Sequence, residues 1–88
     1  MPEVSRFAGI VIAMYVETPA RNHEQHFHAY YGEHAGVFGI RDGVLLAGSL
    51  PNAQRRLVEA WQRERQLELL ENWERLQARR RVVKIAPL

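Results

Sequence analysis

The segment His26-Phe27-His28-Ala29-Tyr30 carries two imidazoles and a phenol at every second position. Because successive side chains of a strand point to opposite faces, His26, His28 and Tyr30 share one face, while Phe27 and Ala29 share the other. Histidine changes its protonation state near neutral pH, so such a polar face can transfer protons, contact phosphate or bind a metal ion. We predict that these three polar side chains form the functional site.

Three interpretations of this polar face stay open. In metal-free RNA cleavage, the histidines and Tyr30 serve as acid and base, and an arginine stabilises the developing charge. In a metal site, His26 and His28 bind the ion through their imidazole nitrogens, with one further ligand. In a structural role, the two histidines only form hydrogen bonds at the sheet edge or cover the helices. The candidate arginines are Arg6, Arg21 and Arg41, and the candidate third ligands are His23, Glu33, His34 or a helix carboxylate.

Length and composition predict one cytoplasmic domain over residues 1–88. Hydrophobic residues make up 47% of the 88 residues, which is too high for a disordered chain. The chain has no cysteine, which excludes disulfides and thiolate zinc sites. The apolar run 7–16 lacks the basic n-region and the small-residue cleavage pattern of a signal peptide and is too short to cross a membrane, so it indicates a buried strand. A chain of this size buries only about 60–65% of its unfolded surface, so a homodimer or a partner protein is expected to add stability.

Basic side chains are concentrated near the end of the chain. The net charge is +2, from twelve basic and ten acidic residues, and no acidic residue follows Glu74. We predict that Trp73 with Arg79, Arg80 and Arg81 binds nucleic acid or a partner protein. The alternative is a solvated helix end, because cations there interact favourably with the helix dipole.

The first half of the chain predicts an antiparallel sheet of three or four strands within residues 6–48. The segment 6–17 is apolar on both faces, as in a strand that is covered on two sides. Two later strands flank the Asp42-Gly43 pair, which is typical of a hairpin turn. The four predicted strands are 6–17, 26–32, 35–40 and 44–48.

The second half predicts two helices within residues 52–80, a stretch without glycine or proline. At about 100° per residue, the apolar stripe around Trp61 and the one around Trp73 differ in direction by roughly 150°. One straight helix cannot bury both, so we place a break within Arg63–Gln66. We expect both helices to pack on one face of the sheet, with Trp61 and Trp73 mainly in the core. Residues 81–88 form a tail, in which residues 82–85 can add a short last strand. The predicted fold class is α+β.

The order of these segments resembles a known family, called domain of unknown function 4160 (DUF4160). The resemblance covers nearly the whole chain and is carried by the segments RFAGIVIAMY, HFHAYYGEHAG, GSLP, LLENWE and VVKIAPL. Members of that family usually have one more histidine and two prolines just before the HFHA element. This chain departs from that pattern, since it has Asn22-His23-Glu24-Gln25 and no proline there.

The resemblance implies a small bacterial protein whose gene stands beside that of a second small protein, as in a toxin–antitoxin-like module. Our leading hypothesis is one member of such a module, with a His26/His28/Tyr30 site that contacts or cleaves RNA. The first alternative is a non-enzymatic module that binds protein or nucleic acid, and the second is a histidine-based metal-binding protein. We predict no organic cofactor and no membrane association.

Overall fold

The computed structural model describes residues 2–16 and 24–88. They form a five-stranded antiparallel sheet followed by two helices, which confirms the α+β class. The strands lie side by side in chain order: β1 (Glu3–Phe7), β2 (Ile10–Ala13), β3 (His26–Tyr31), β4 (His34–Gly39) and β5 (Leu45–Gly48). The helices are α1 (Asn52–Glu64) and α2 (Gln66–Gln77).

The sheet has one strand more than the predicted maximum, because the apolar segment 6–17 is not one strand. The chain reverses at Ala8 and Gly9, so that Arg6 lies opposite Val11 and Phe7 opposite Ile10. Both turn residues have positive φ angles, 51° at Ala8 and 76° at Gly9. Such a two-residue turn matches the twist of the strands that it joins. An alanine there gives no turn signal, and this is why the sequence pattern suggested a continuous strand.

Ala8 provides a stability test of this turn. The positive φ angle places a β-carbon in an unfavourable conformation, which asparagine tolerates better than alanine does. We expect Ala8→Asn to raise the free energy of unfolding by roughly 0.5–1 kcal/mol. Urea denaturation measures the change, and Ala8→Val is the matched control, because a β-branched residue should destabilise the same turn. A lower denaturation midpoint for Ala8→Asn than for the wild type would contradict the turn geometry.

One face of the sheet forms the core with α1. Phe27 lies opposite Phe38 on neighbouring strands, and their rings stack with centroids 5.7 Å apart. Trp61 of α1 is fully buried on this face. Its ring centroid lies 5.6 Å from that of Phe7 and 5.7 Å from that of Phe27. These contacts confirm the prediction that Trp61 belongs to the core.

The predicted helix break is confirmed at Arg65, whose φ and ψ angles of −114° and 20° are not helical. Beside it, the side-chain amides of Gln62 and Gln66 donate hydrogen bonds to the carbonyl oxygens of Ile40 and Arg41, which ties the break to the β4–β5 turn.

The prediction that both helices pack on one face is incomplete for α2. It also contacts the opposite, histidine-bearing face. Neither helix in the described ranges is long and apolar enough to cross a membrane.

The tail after α2 has no strand, but it crosses the structure and connects three elements. Ile85 is buried, and its backbone N–H donates a hydrogen bond of 2.8 Å to the carbonyl of Val4 in β1. The Asn72 side chain forms two hydrogen bonds of 2.8 Å with the backbone of Val83. The Trp61 indole N–H donates to the Ala86 carbonyl at 2.9 Å. The tail, residues 81–88, therefore does not form the predicted last strand. We call it the strap, and it is held mostly by hydrogen bonds from side chains.

Candidate functional site

Strand β3 holds His26, His28 and Tyr30 on the face opposite the aromatic core. Their cross-strand neighbours are glycine, alanine or valine. Gly39 lies opposite His26, Ala13 and Val37 lie opposite His28, and Val11 and Ala35 lie opposite Tyr30. The three polar side chains are therefore flanked by apolar neighbours. The structure thus brings together the three side chains of the predicted site.

Four rings follow one another along this face, and we call Trp73, His26, His28 and Tyr30 the ring row. Ring centroids are 5.2 Å apart between Trp73 and His26, and 5.4 Å apart between His26 and His28. The His28 and Tyr30 rings are nearly parallel, at 11°, with centroids 6.3 Å apart. These spacings are those of interacting aromatic side chains. Trp73 of α2 therefore continues the row that β3 begins.

Tyr15 contacts the candidate site as well, and the sequence pattern did not predict this contact. Its hydroxyl lies 2.9 Å from the hydroxyl of Tyr30, and its ring is nearly perpendicular to that of His28, with centroids 4.9 Å apart. Its position follows from the strand register, because Ala13 pairs with His28 and Tyr15, two residues later, lies on the same face as Ala13. Tyr15 and Tyr30 together enclose His28 from two sides.

The two histidines differ in burial and in hydrogen bonding. His26 is 7% exposed, whereas His28 is half-buried. The Nδ1 atom of His26 lies 2.9 Å from the Glu24 carbonyl oxygen. A carbonyl only accepts hydrogen bonds, so Nδ1 of His26 is the donor and the neutral ring carries its lone pair on Nε2. His28 is therefore the more accessible of the two imidazoles, and His26 is the more tightly packed one.

The metal alternative has two histidines but loses two of its proposed third ligands. Glu33 and His34 lie at the far end of the β3–β4 hairpin, where His34 pairs with Tyr31. That is about 16 Å along the strand from His26, at 3.3 Å per residue. Within residues 2–16 and 24–88, no three or more His, Cys, Asp or Glu side chains form a group that could hold a metal. His23 lies outside the described residues. A metal on His26 and His28 stays a prediction, which elemental analysis of purified wild type and His26→Ala/His28→Ala protein tests.

Of the candidate arginines, Arg6 lies on the same face as the ring row. Arg6 pairs with Val11, which in turn pairs with Tyr30, so Arg6 is two strands from Tyr30, or about 10 Å. Its guanidinium donates two hydrogen bonds to the Glu3 carboxylate, at 2.8 and 3.2 Å. The hydrogen bond with Arg6 lowers the pKa of Glu3, and the same pair raises the pKa of Arg6. Arg41 is exposed in the β4–β5 turn. Arg21 lies outside the described residues.

The basic end of α2 is exposed at Arg79, Arg80 and Arg81. Arg79 has a φ angle of 61°, a conformation that helix ends usually give to glycine. The N–H groups of Arg79 and Arg80 donate to the carbonyls of Leu76 and Arg75, at 3.0 and 2.7 Å, and so close the helix. The structure joins Trp73 to His26, whereas the three arginines lie beyond the end of α2.

Comparison with known proteins gives one match. The model of a family described as a domain of unknown function, DUF4160, matches residues 9–74. This range includes the whole ring row, all of α1, and α2 as far as Glu74. No curated protein and no solved structure matches the chain.

Proposed function

This chain belongs to the DUF4160 family, and we propose that it is an RNA-contacting protein whose ring row cleaves RNA within a two-protein, toxin–antitoxin-like module. The observation that carries the proposal is the enclosure of His28 by two tyrosines. The Tyr15 ring stands nearly perpendicular to the His28 ring, with centroids 4.9 Å apart, and the Tyr30 ring stacks beside His28. A half-buried imidazole held in this way is oriented for proton transfer.

The reaction that fits these groups is the internal cleavage of an RNA phosphodiester. A base removes the proton of the 2′-hydroxyl, the 2′-oxygen attacks phosphorus, and the bond to the 5′-oxygen breaks. An acid protonates that leaving oxygen, which gives a 2′,3′-cyclic phosphate and a 5′-hydroxyl. His28 is assigned one proton transfer, and His26 or Tyr30 the other. Arg6 is the candidate cation for the charge that develops on the phosphate.

The rest of the ring row supports RNA as the substrate. Unpaired bases stack on aromatic rings, and each stacked base contributes about 1–3 kcal/mol of binding free energy. Trp73 is half-buried, lies next to His26 at one end of the row and offers such a ring. Because stacking requires unpaired bases, the expected substrate is single-stranded RNA rather than a duplex.

Expression in a bacterial host tests the proposal. The wild-type chain is expected to stop growth, and total RNA from those cells should contain new ends with cyclic phosphate. His26→Ala/His28→Ala should permit growth and leave the RNA intact. Circular dichroism must show that both proteins fold. Co-expression of the protein encoded by the neighbouring gene should restore growth in the wild-type strain.

Two outcomes would contradict the proposal. Growth with intact RNA in the wild-type strain, at an expression level confirmed by immunoblot, would exclude a toxin in that host. Arrest by both proteins alike would show that the histidines are not responsible.

A binding module without catalysis is the second candidate, favoured by the exposure of Arg79, Arg80 and Arg81. If this end of α2 binds single-stranded RNA, replacing all three by glutamine should weaken binding and lower the slope of log affinity against log salt by about 2. Fluorescence anisotropy at several salt concentrations measures the slope. The matched control is Arg55→Gln/Arg56→Gln/Arg63→Gln, which removes the same charge from α1. Equal slopes for the two triple variants would exclude a specific role of the basic end.

A further inference from the structure

The strap passes beside α2 and then returns to the sheet. After the end of α2 the chain turns at Arg79, whose φ angle is 61°. Val83 lies beside Asn72 in the middle of α2, and Ile85 reaches β1, where its N–H donates to the Val4 carbonyl at 2.8 Å. Ile85 is only 5% exposed. The strap is therefore anchored both to the helix and to the sheet.

Asn72 alone makes the link between the strap and α2. Its side-chain amide donates to the Val83 carbonyl and accepts from the Val83 N–H, both at 2.8 Å. Within residues 2–16 and 24–88, these are the only hydrogen bonds between the strap and α2. Asn72 is 1% exposed, so losing either bond would leave a buried polar group without a partner, which is costly.

Trp73 follows Asn72 and reaches the ring row. Adjacent residues of an α-helix point about 100° apart, so α2 presents Asn72 to the strap and Trp73 to His26. His26 lies on β3, in the same sheet as β1, which holds the far end of the strap. The helix is thus held between the strap and the ring row. The position of Trp73 above the sheet depends on the link at Asn72.

We propose that the Asn72–Val83 pair positions Trp73 against His26 and so keeps the end of the ring row in place for a base of single-stranded RNA. Both are positioning residues that act through Trp73. The placement of Trp73 does not depend on RNA cleavage, whereas its consequence for RNA binding rests on the proposed function. Because Trp73 lies at the end of the row, the pair should affect the binding of RNA and leave the chemistry at His28 unchanged.

Val83→Pro tests the placement of Trp73, because proline removes the N–H that donates to Asn72. The matched control is Val83→Ala, which keeps this N–H and trims a side chain that is 51% exposed. In NMR spectra of the full chain, wild type and Val83→Ala should show Overhauser contacts between the ring protons of Trp73 and His26. Val83→Pro should lose these contacts, while the Ile85 amide stays protected from exchange. Contacts of wild-type intensity in Val83→Pro would overturn the proposal.

Cleavage kinetics test the consequence for RNA binding. Val83→Pro should raise KM about fivefold or more, the factor that corresponds to the loss of one stacked base. The value of kcat should stay within about twofold of the wild type, as expected when only binding is weakened. A lower kcat with an unchanged KM would contradict a role in binding. If the wild type does not cleave RNA, the proposed function fails, and the Overhauser contacts still decide the placement of Trp73.

A measurement on the wild type decides if Val83→Pro does not fold. In urea below the global unfolding transition, local opening of the strap exposes the Val83 amide to hydrogen exchange. The protection of this amide and the Overhauser contacts between Trp73 and His26 should then be lost together. Loss of the protection with the contacts retained would show that Trp73 is placed without the strap, and would overturn the proposal.

Discussion

Replacing His28 by alanine is expected to reduce the rate of RNA cleavage by about a hundredfold or more, the usual contribution of one acid–base group. The cause is the loss of the half-buried imidazole that Tyr15 and Tyr30 hold between them. The measurement is a single-turnover assay on a short single-stranded RNA, with the cyclic phosphate as the product. The melting temperature should change little, because His28 is not part of the aromatic core.

His34→Ala is the matched control for this prediction. His34 is an exposed histidine of the same sheet, at the far end of the β3–β4 hairpin. Its replacement should leave the cleavage rate within about twofold of the wild type, as expected for a histidine outside the proton-transfer site. Equal losses of cleavage rate in His34→Ala and His28→Ala would indicate a general effect of removing a histidine. They would contradict the assignment of His28 to proton transfer.

A variant of Tyr15 tests whether this residue only positions His28 and Tyr30. Tyr15→Phe keeps the ring against His28 but removes the hydroxyl that lies 2.9 Å from the hydroxyl of Tyr30. If Tyr15 only orients its neighbours, the rate should fall less than in His28→Ala, and the product should be unchanged. A loss as large as that of His28→Ala would instead place the Tyr15 hydroxyl among the reacting groups.

The largest loss of stability is expected from Trp61→Ala, at about 3–5 kcal/mol, the range for truncating a buried aromatic residue. Trp61 is fully buried, contacts Phe7 and Phe27, and anchors the tail through its indole N–H. Since domains of this kind are stable by only about 5–15 kcal/mol, the variant should be close to unfolding at 37 °C. Urea denaturation followed by circular dichroism measures the effect.

Trp61→Phe separates ring packing from the hydrogen bond. It keeps an aromatic ring in the core and removes the donor to the Ala86 carbonyl, so it should cost distinctly less than Trp61→Ala. Faster hydrogen exchange in residues 83–86 of this variant would show that the indole holds the tail. A cost for Trp61→Ala below about 1 kcal/mol would contradict the core position of this residue, because buried aromatic truncations cost more.

Local sequence signals were sufficient to predict most of the secondary-structure elements. The phase shift of the apolar stripe predicted the helix break at Arg65, and Asp42-Gly43 predicted the β4–β5 turn, where Asp42 accepts a hydrogen bond from the Val44 N–H. The β1–β2 turn was missed, because Ala8 lies in an apolar run and has no turn propensity of its own. Its positive φ angle is imposed by strand pairing, which a local pattern does not contain.

The sequence predicted only the part of the candidate site that lies on a single strand, β3. Alternation along β3 placed His26, His28 and Tyr30 on one face, as the structure has them. Tyr15 and Trp73 come from other elements, so their contacts depend on the pairing of β2 with β3 and on where α2 crosses the sheet. The same dependence on register places Glu33 and His34 at the far end of the β3–β4 hairpin from His26, although they are close to His28 in the chain.

The strand order also has a consequence for folding kinetics. Every strand pairs with its sequence neighbour, so the sheet consists of local contacts, and domains rich in such contacts fold fast. The strap is the exception, since Ile85 bonds to Val4 near the opposite end of the chain. Closing so long a loop costs entropy that the local hairpins do not. We therefore expect the sheet to form early and the strap to attach late, so that weakening the strap speeds unfolding and leaves the folding rate nearly unchanged.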